Sequence, residues 1–195
     1  MLTIVIQAGG QSSRMGQDKA LMLFLGYPLI ERVLNRVLHL ADEVMITTNH
    51  ASGYRYLNIP LIPDEIPNRG ALGGLYTALK AAQHPLVAVV ACDMPFVNAE
   101  ILSAARDILT NTQADAVIPY TEAGLEPLHA VYRRATCLPA VKAAIEAGKW
   151  RAISWHADVD IHILPPEELR KYDPRGITFE NVNTPEELRQ AEELV

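Results

Sequence analysis

A chain of 195 residues fits one domain and can bury one sizeable core without disulfides or a structural metal. Its 49% hydrophobic and 21% charged residues are the proportions of a globular protein, and a net charge of -6 speaks against a nucleic-acid-binding surface. The only two cysteines, Cys92 and Cys137, form no C-x-x-C or Cys/His spacing, which argues against a disulfide framework or a zinc site. The apolar start, Met1 to Ile6, is too short for a leader peptide. No apolar stretch reaches membrane-spanning length, so the expectation is a cytoplasmic protein with neither membrane nor nucleic acid as partner.

Leu2 to Gln7 is short, rich in Ile and Val, and stopped by Gly9-Gly10, which predicts a buried strand followed by a loop from Ala8 to about Lys19. Leu29, Ile30, Val33, Leu34, Val37 and Leu38 recur at helical spacing. Glu43 to Thr48 predicts a second strand and Ile59 to Ile62 a third, ended by Pro63. Asn68 to Gly74 reads as a glycine-rich turn, with a helix opening at Leu75. Leu86 to Ala91 is the clearest buried strand. It runs into Cys92-Asp93-Met94-Pro95, and a helix then starts behind Asn98 as N-cap. Further strands are predicted over Ala114 to Ile118, Ala130 to Tyr132 and Val159 to Leu164, and a helix over Ala140 to Ala147 that stops at Gly148. Thr184-Pro185-Glu186-Glu187 has the pattern of a capping box and starts the last helix.

Alternating strands and helices predict a single α/β domain: a three-layer α/β/α sandwich with a Rossmann-like, mostly parallel sheet. Ligands of such sheets bind beyond the carboxyl ends of the strands, which directs attention to the segments after Gln7, Thr48, Ile62 and Ala91. The loop Ala8-Gly9-Gly10-Gln11-Ser12-Ser13-Arg14-Met15-Gly16-Gln17-Asp18-Lys19 joins two glycines, whose backbone can approach a ligand closely, to two cations suited to a triphosphate. It closes with no G-K-[ST] and contains no G-x-G-x-x-G, so it is neither a Walker A loop nor a dinucleotide fingerprint. A double glycine alone would suit any strand-to-helix turn; both cations in the same loop favour phosphate. Asp93 follows an uninterrupted apolar strand, so its carboxylate emerges at the sheet edge. There it can hold Mg²⁺, which takes one or two protein carboxylates and completes its shell with water and phosphate oxygens. Asn98 is the better cap for the next helix, which leaves Asp93 free of that role. Cys92 reads as a buried small residue, without a His or second Cys at a useful spacing.

The run A-G-G-x-S-S-R-M-G-x-D-K-A resembles the signature of nucleotidyltransferases that activate sugars, polyols and cofactors, and within them the molybdenum cofactor guanylyltransferase family. Gln7 stands where most members have Leu. The resemblance extends to Gly70-Ala71-Leu72-Gly73-Gly74, with Ala71 in place of the usual Pro, to C-D-M-P around Asp93, and to F-x-N-x-N-T-P-E-E-L near the end, so it spans Ala8 to Leu188. It implies a fold of the nucleotidyltransferase type in which the N-terminal half binds the nucleotide and the C-terminal half the acceptor. It also implies transfer of GMP from GTP to molybdenum-loaded molybdopterin, giving the guanine dinucleotide and pyrophosphate, with Mg²⁺ as cofactor. By resemblance Gln7, Ala8, Gly9, Gly10, Ser12, Lys19, Thr47, Asn49, Asp64, Gly73 and Asp93 surround the nucleotide. Lys19 and Arg14 contact phosphates and Asp93 holds the metal. Asn181 and Asn183 are placed on the acceptor side. Arg151, in Gly148-Lys149-Trp150-Arg151, either meets the acceptor's phosphate or belongs to a solvated helix end. The resemblance further implies transient molybdopterin-donor and acceptor proteins as partners. Cytidylyl transfer, transfer to a sugar or polyol phosphate, and a non-catalytic GTP-binding module are the alternative readings. His129 reads as a packed histidine rather than a base.

Overall fold

The computed structural model describes residues 1–9, 18–67 and 69–195. The expected nucleotide-binding residues Gly10 and Ser12 and the expected phosphate contact Arg14 therefore lie outside the described residues. The order of elements is β1 (Leu2–Gln7), β2 (Leu23–Phe24), β3 (Tyr27–Pro28), α1 (Leu29–Val37), β4 (Glu43–Thr47), β5 (Leu61–Ile62), α2 (Gly70–Ala81) and β6 (Leu86–Ala91). It continues with α3 (Ala99–Asn111), β7 (Ala116–Thr121), β8 (Gly124–Leu125), β9 (His129–Arg133), α4 (Arg134–Glu146), β10 (Ile161–Leu164), α5 (Pro166–Leu169) and α6 (Pro185–Glu192).

The main sheet runs β10-β7-β9-β6-β1-β4-β5, with β8 hairpinned onto β7. β1 pairs parallel with both β4 and β6, β4 with β5, and β7 with β10. Two strands run the other way: β9 lies antiparallel between β6 and β7, and β8 pairs antiparallel with β7. Every residue of β1 and of β6 is buried, because both strands are covered on both faces; β6 is apolar throughout, and β1 carries Thr3 and Gln7 beside its Leu, Ile and Val residues. On one face Ile4, Ile6, Ala88 and Val90 pack against α1 and α3 through Ile30, Val33, Ile101 and Leu102. On the other, Val5, Met45, Val87 and Val89 pack against α2 and α4 through Leu72, Leu75, Val141 and Ile145. The expected three-layer sandwich is what these two apolar interfaces build. Among the described residues no helix is long and apolar enough to cross a membrane.

The segment read as a glycine-rich turn is instead the first part of a helix: α2 begins at Gly70, so Gly73 and Gly74 are helical. The reason is close approach rather than turn geometry. A Cβ on Gly74 would lie 2.6 Å from Gln7 Oε1, and one on Gly73 would lie 2.7 Å from Arg69 Cβ. Glycine at both positions lets α2 press onto the end of β1 and onto its own leading segment. Helix α4 also starts earlier than expected, at Arg134, and holds Pro139 within it.

Candidate active site

Strand ends deliver the first residues of the site. Gln7 closes β1, Thr47 closes β4 in register with it, and Ala91 closes β6 on its other side. Beyond Ala91 the chain is held to its neighbours: Ala91 N–H donates to Leu128 O (3.0 Å) and Cys92 N–H to Gln7 O (3.1 Å). Asp93 therefore projects past the sheet edge.

Lys19 arrives from the other direction. It opens a single 3₁₀ turn, Lys19–Leu21, capped by Asp18, whose Oδ1 accepts from Ala20 N–H (3.1 Å). The second oxygen of Asp18 accepts from the buried Tyr54 hydroxyl, and Ala20 itself is buried, so the turn is anchored at two points. Burial and the adjacent Asp18 carboxylate push the Tyr54 phenol far above its usual range, which keeps it a donor. From this turn Lys19 Nζ donates to Asp93 Oδ2 (3.0 Å) and to Asn183 Oδ1 (2.6 Å).

Asn183 is held there by its flanks. On one side Val182 N–H donates to Asp93 O (2.9 Å), and the Val182 side chain is buried with Phe24, Leu29 and Phe96. On the other side α6 starts with a full capping box: Thr184 Oγ1 accepts from Glu187 N–H (3.1 Å), and the Glu187 carboxylate accepts from the N–H of Thr184 and of Asn183.

These parts surround a cavity of about 230 Å³. Lys19 and Asp93 form one wall. Gln7, Ala8 and Gly9, together with Gly70, Ala71 and His50, form uncharged surface elsewhere in it. Gln7 is 7% exposed, and its Nε2, like the fully buried Thr47 Oγ1, finds no hydrogen-bond partner among the described residues. Asn49 and Asp64 pair beside this wall, Nδ2 to Oδ2 at 2.7 Å with Asp64 N–H returning to Asn49 Oδ1 at 3.0 Å. A Cβ on Gly9 would meet Asp64 Oδ2 at 3.9 Å.

The structure thus gathers Gln7, Ala8, Gly9, Lys19, Asp93 and Asn183, with Thr47, Asn49, Asp64 and Gly73 just behind them. Two residues stand apart. Asn181 is exposed, its side chain donates to Phe179 O (3.2 Å), and it is not part of the cavity wall. Arg151 is exposed and is not part of the cavity wall; the residue beside it, Trp150, instead stacks under the Arg69 guanidinium at 4.5 Å. Asp18, which sits within the G-x-D-K-A run, adds a functional position that residue type alone does not mark: it caps the Lys19 turn and lines the cavity. His50 and Leu128 also join the wall.

Chemically the cluster is a cation gripping a carboxylate and an amide oxygen at the rim of a small cleft. It is suited to charge neutralisation rather than to covalent catalysis. Burial pushes the Cys92 thiol far above its usual range, and Cys137 up to about 12, so neither offers a thiolate. His129 is buried, its Nε2 accepts from Asn98 N–H (3.1 Å), and burial lowers it to about 4; it is a neutral packing residue. Among the described residues no group of three or more His, Cys, Asp and Glu side chains is placed to hold a metal.

Residues 4–159 match the family described as the MobA-like NTP transferase domain. A protein of Natronomonas pharaonis named "Probable molybdenum cofactor guanylyltransferase" is 35% identical over 98% of this chain and 96% of its own length. One of Desulfosudis oleivorans named "Molybdenum cofactor guanylyltransferase" is 31% identical over 100% of this chain and 96% of its own. Among solved structures, molybdopterin-guanine dinucleotide biosynthesis protein A of Archaeoglobus fulgidus superposes with a TM-score of 0.84 at 28% identity, covering 98% of this chain and 97% of that one. A Thermus thermophilus enzyme, 2-C-methyl-D-erythritol 4-phosphate cytidylyltransferase, shares the fold with a TM-score of 0.71 at 18% identity, over 98% and 96% of the two chains.

Proposed function

This chain belongs to the MobA-like NTP transferase domain family and is a nucleotidyltransferase, and from that premise we propose that it transfers a guanylyl group from GTP to the phosphate of molybdopterin. The observation that carries the reading is Lys19 Nζ, held between Asp93 Oδ2 and Asn183 Oδ1 at the mouth of a cleft lined by Ala8 and Gly9.

In the reaction an oxygen of the acceptor phosphate forms a bond to the α-phosphorus of GTP. The bond from that phosphorus to the bridging oxygen of the β-phosphate breaks, and pyrophosphate leaves with the electron pair. No covalent intermediate with the protein is required, so catalysis consists of positioning and charge neutralisation. Lys19 would balance charge on the phosphates, and the backbone at Gly9 would let them approach. Arg14 joins this role by resemblance. Gln7, Thr47, Asn49, Asp64 and Gly73 line or back the uncharged part of the cleft, which suits base and ribose. The Gln7 amide nitrogen and the Thr47 hydroxyl have no partner among the described residues, and a polar ligand edge beside them would supply one.

Asp93 and Asn183 together offer hard oxygen donors at one point, a set of the size Mg²⁺ uses when phosphates and water supply the rest of its shell. Asp93 would hold the ion, which supplies Lewis-acid stabilisation of phosphate charge.

Pyrophosphate release from GTP, CTP, ATP and UTP, with and without molybdopterin and Mg²⁺, tests the reading. Release from GTP alone, dependent on molybdopterin and abolished by EDTA, is the expected result. Preference for CTP moves the protein to cytidylyl transfer, acceptance of a sugar or polyol phosphate replaces the acceptor, and binding of GTP without turnover makes it a binding module.

A further inference from the structure

A second and larger cavity, of about 440 Å³, opens at the same edge of the sheet. It lies at the end of β7, between the β7–β8 hairpin and the segment from α5 to Glu180, with Tyr120, Glu126, Leu169, Arg170, Phe179 and Glu180 in its wall. None of these residues takes part in the Lys19 cluster.

Three features define what it can hold. Its wall joins aromatic and aliphatic surface from Tyr120, Phe179 and Leu169. Phe179 is fixed edge-on by the buried His129 ring, at 5.2 Å between centroids. Its charge is acidic: among the described residues Glu122, Glu126, Asp173 and Glu180 line it against one cation, Arg170. Glu126 is partly buried, Thr121 Oγ1 donates to its Oε1 (3.0 Å), and no protein donor among the described residues reaches its other oxygen. Burial pushes this carboxyl above its usual range, the condition of a group that gains from a new N–H partner.

The cavity is also tied to the reaction centre by one short stretch of chain. Phe179 and Glu180 stand in its wall, Val182 is bonded to Asp93, and Asn183 is bonded to Lys19. Four residues span at most roughly 14 Å. A bound molecule can therefore reach from this cavity to Lys19 if it is a fused-ring system with a phosphate on a short arm. Charge fixes its direction, since phosphate is repelled by the acidic cavity and attracted to Lys19.

We propose that this cavity binds the 2-amino-4-oxopteridine ring of the acceptor, with the Glu126 carboxylate accepting from the 2-amino group and the adjacent ring N–H. The assignment rests on the acceptor being a pterin phosphate, as the proposed function has it. A carboxylate meets that donor pair with two parallel hydrogen bonds, and the charge-assisted geometry makes the contact selective. Tyr120 and Phe179 supply the apolar surface for the ring.

The test uses neopterin monophosphate, a fluorescent pterin carrying a phosphate on a three-carbon arm, and its 2-deaminated lumazine counterpart. Both are titrated against the whole protein by fluorescence polarisation, with GTP and guanosine in parallel thermal-shift arms. Wild-type protein is expected to prefer the pterin to the lumazine by about tenfold or more, the effect of losing a donor to a carboxylate. Glu126→Gln should bring that preference to within about threefold while its melting temperature and its GTP shift stay at the wild-type values. Retention of the full preference in a folded Glu126→Gln protein overturns the proposal, and so does displacement of the pterin by guanosine at equal concentration. A GTP shift in wild-type protein without pterin preference keeps the guanylyl-transfer reading and removes this site. Pterin preference without a GTP shift keeps this site and removes that reading.

Discussion

Lys19 Nζ sits 3.0 Å from Asp93 Oδ2, with side chains that are 25% and 20% exposed, so the pair is sheltered but still wetted. An ion pair in that setting contributes little to folding, and its value lies in what each partner does when phosphate arrives. Lys19→Ala and Asp93→Ala should each lower kcat/KM by roughly 10²-fold or more, the scale of lost transition-state electrostatics. Their unfolding free energies should stay within about 1 kcal/mol of wild type. Steady-state pyrophosphate release beside urea denaturation checks both halves; near-normal turnover in a folded variant removes that residue from the chemistry.

The contact between Gly74 and Gln7 gives a prediction with two opposing terms. Alanine in a helix gains about 0.5–1 kcal/mol over glycine. The new Cβ, however, would lie 2.6 Å from Gln7 Oε1, and overpacking of a buried site costs about 1–3 kcal/mol. Gly74→Ala should therefore destabilise the protein modestly and weaken nucleotide binding, because the displaced Gln7 amide moves in the cavity wall. Gln7→Ala in the same chain removes the clashing atoms, so the double variant should be more stable than the sum of the two single effects. A double-mutant cycle by urea denaturation reads this coupling; strict additivity would show that the two residues do not meet.

The same pair shows what sequence could and could not convey. β1 was legible because it is short and rich in Ile and Val, β6 because it is an unbroken apolar run, and the caps at Asn98 and Thr184 because capping is a local device. Gly73 and Gly74 suggested a turn, since the strand end that α2 must clear is remote in sequence. The helix expected from Ala140 starts at Arg134, and α4 accommodates Pro139 within it. The antiparallel insertion of β9 between β6 and β7 is a choice of neighbour, and periodicity carries no information about neighbours. For the site, residue types marked Lys19 and Asp93 individually. The bond from Lys19 to Asn183 joins positions 164 apart, and nothing local in either segment announces it.

Asn183 depends on the helix behind it. The Glu187 carboxylate that completes the capping box also accepts from Asn183 N–H, so loss of the cap loosens the residue that steadies Lys19. Thr184→Ala should cost about 1 kcal/mol of stability. It should also reduce turnover more than it raises the KM for GTP, whereas Thr184→Ser, which keeps the hydroxyl, should restore both. Equal stability loss with unchanged turnover would confine Thr184 to a purely structural role.

His129 sets an acid limit on the fold. Its ring is buried, Nε2 accepts from Asn98 N–H, and Nδ1 has no partner among the described residues, so the folded protein holds it neutral and burial lowers it to about 4 from 6.5. The unfolded chain therefore takes up a proton first as pH falls. The stabilising contribution is whole above pH 6.5, declines as pH drops below that value, and is gone once pH passes through about 4. The maximum effect is about 3 kcal/mol by the linkage relation. His129→Gln keeps an acceptor for Asn98 N–H and removes the titration. Its unfolding free energy should fall less between pH 7.5 and pH 4.5 than that of wild type, even if it starts lower. Parallel urea titrations of the two proteins across that range provide the measurement. Identical slopes would mean that His129 does not titrate differently in the folded and unfolded states.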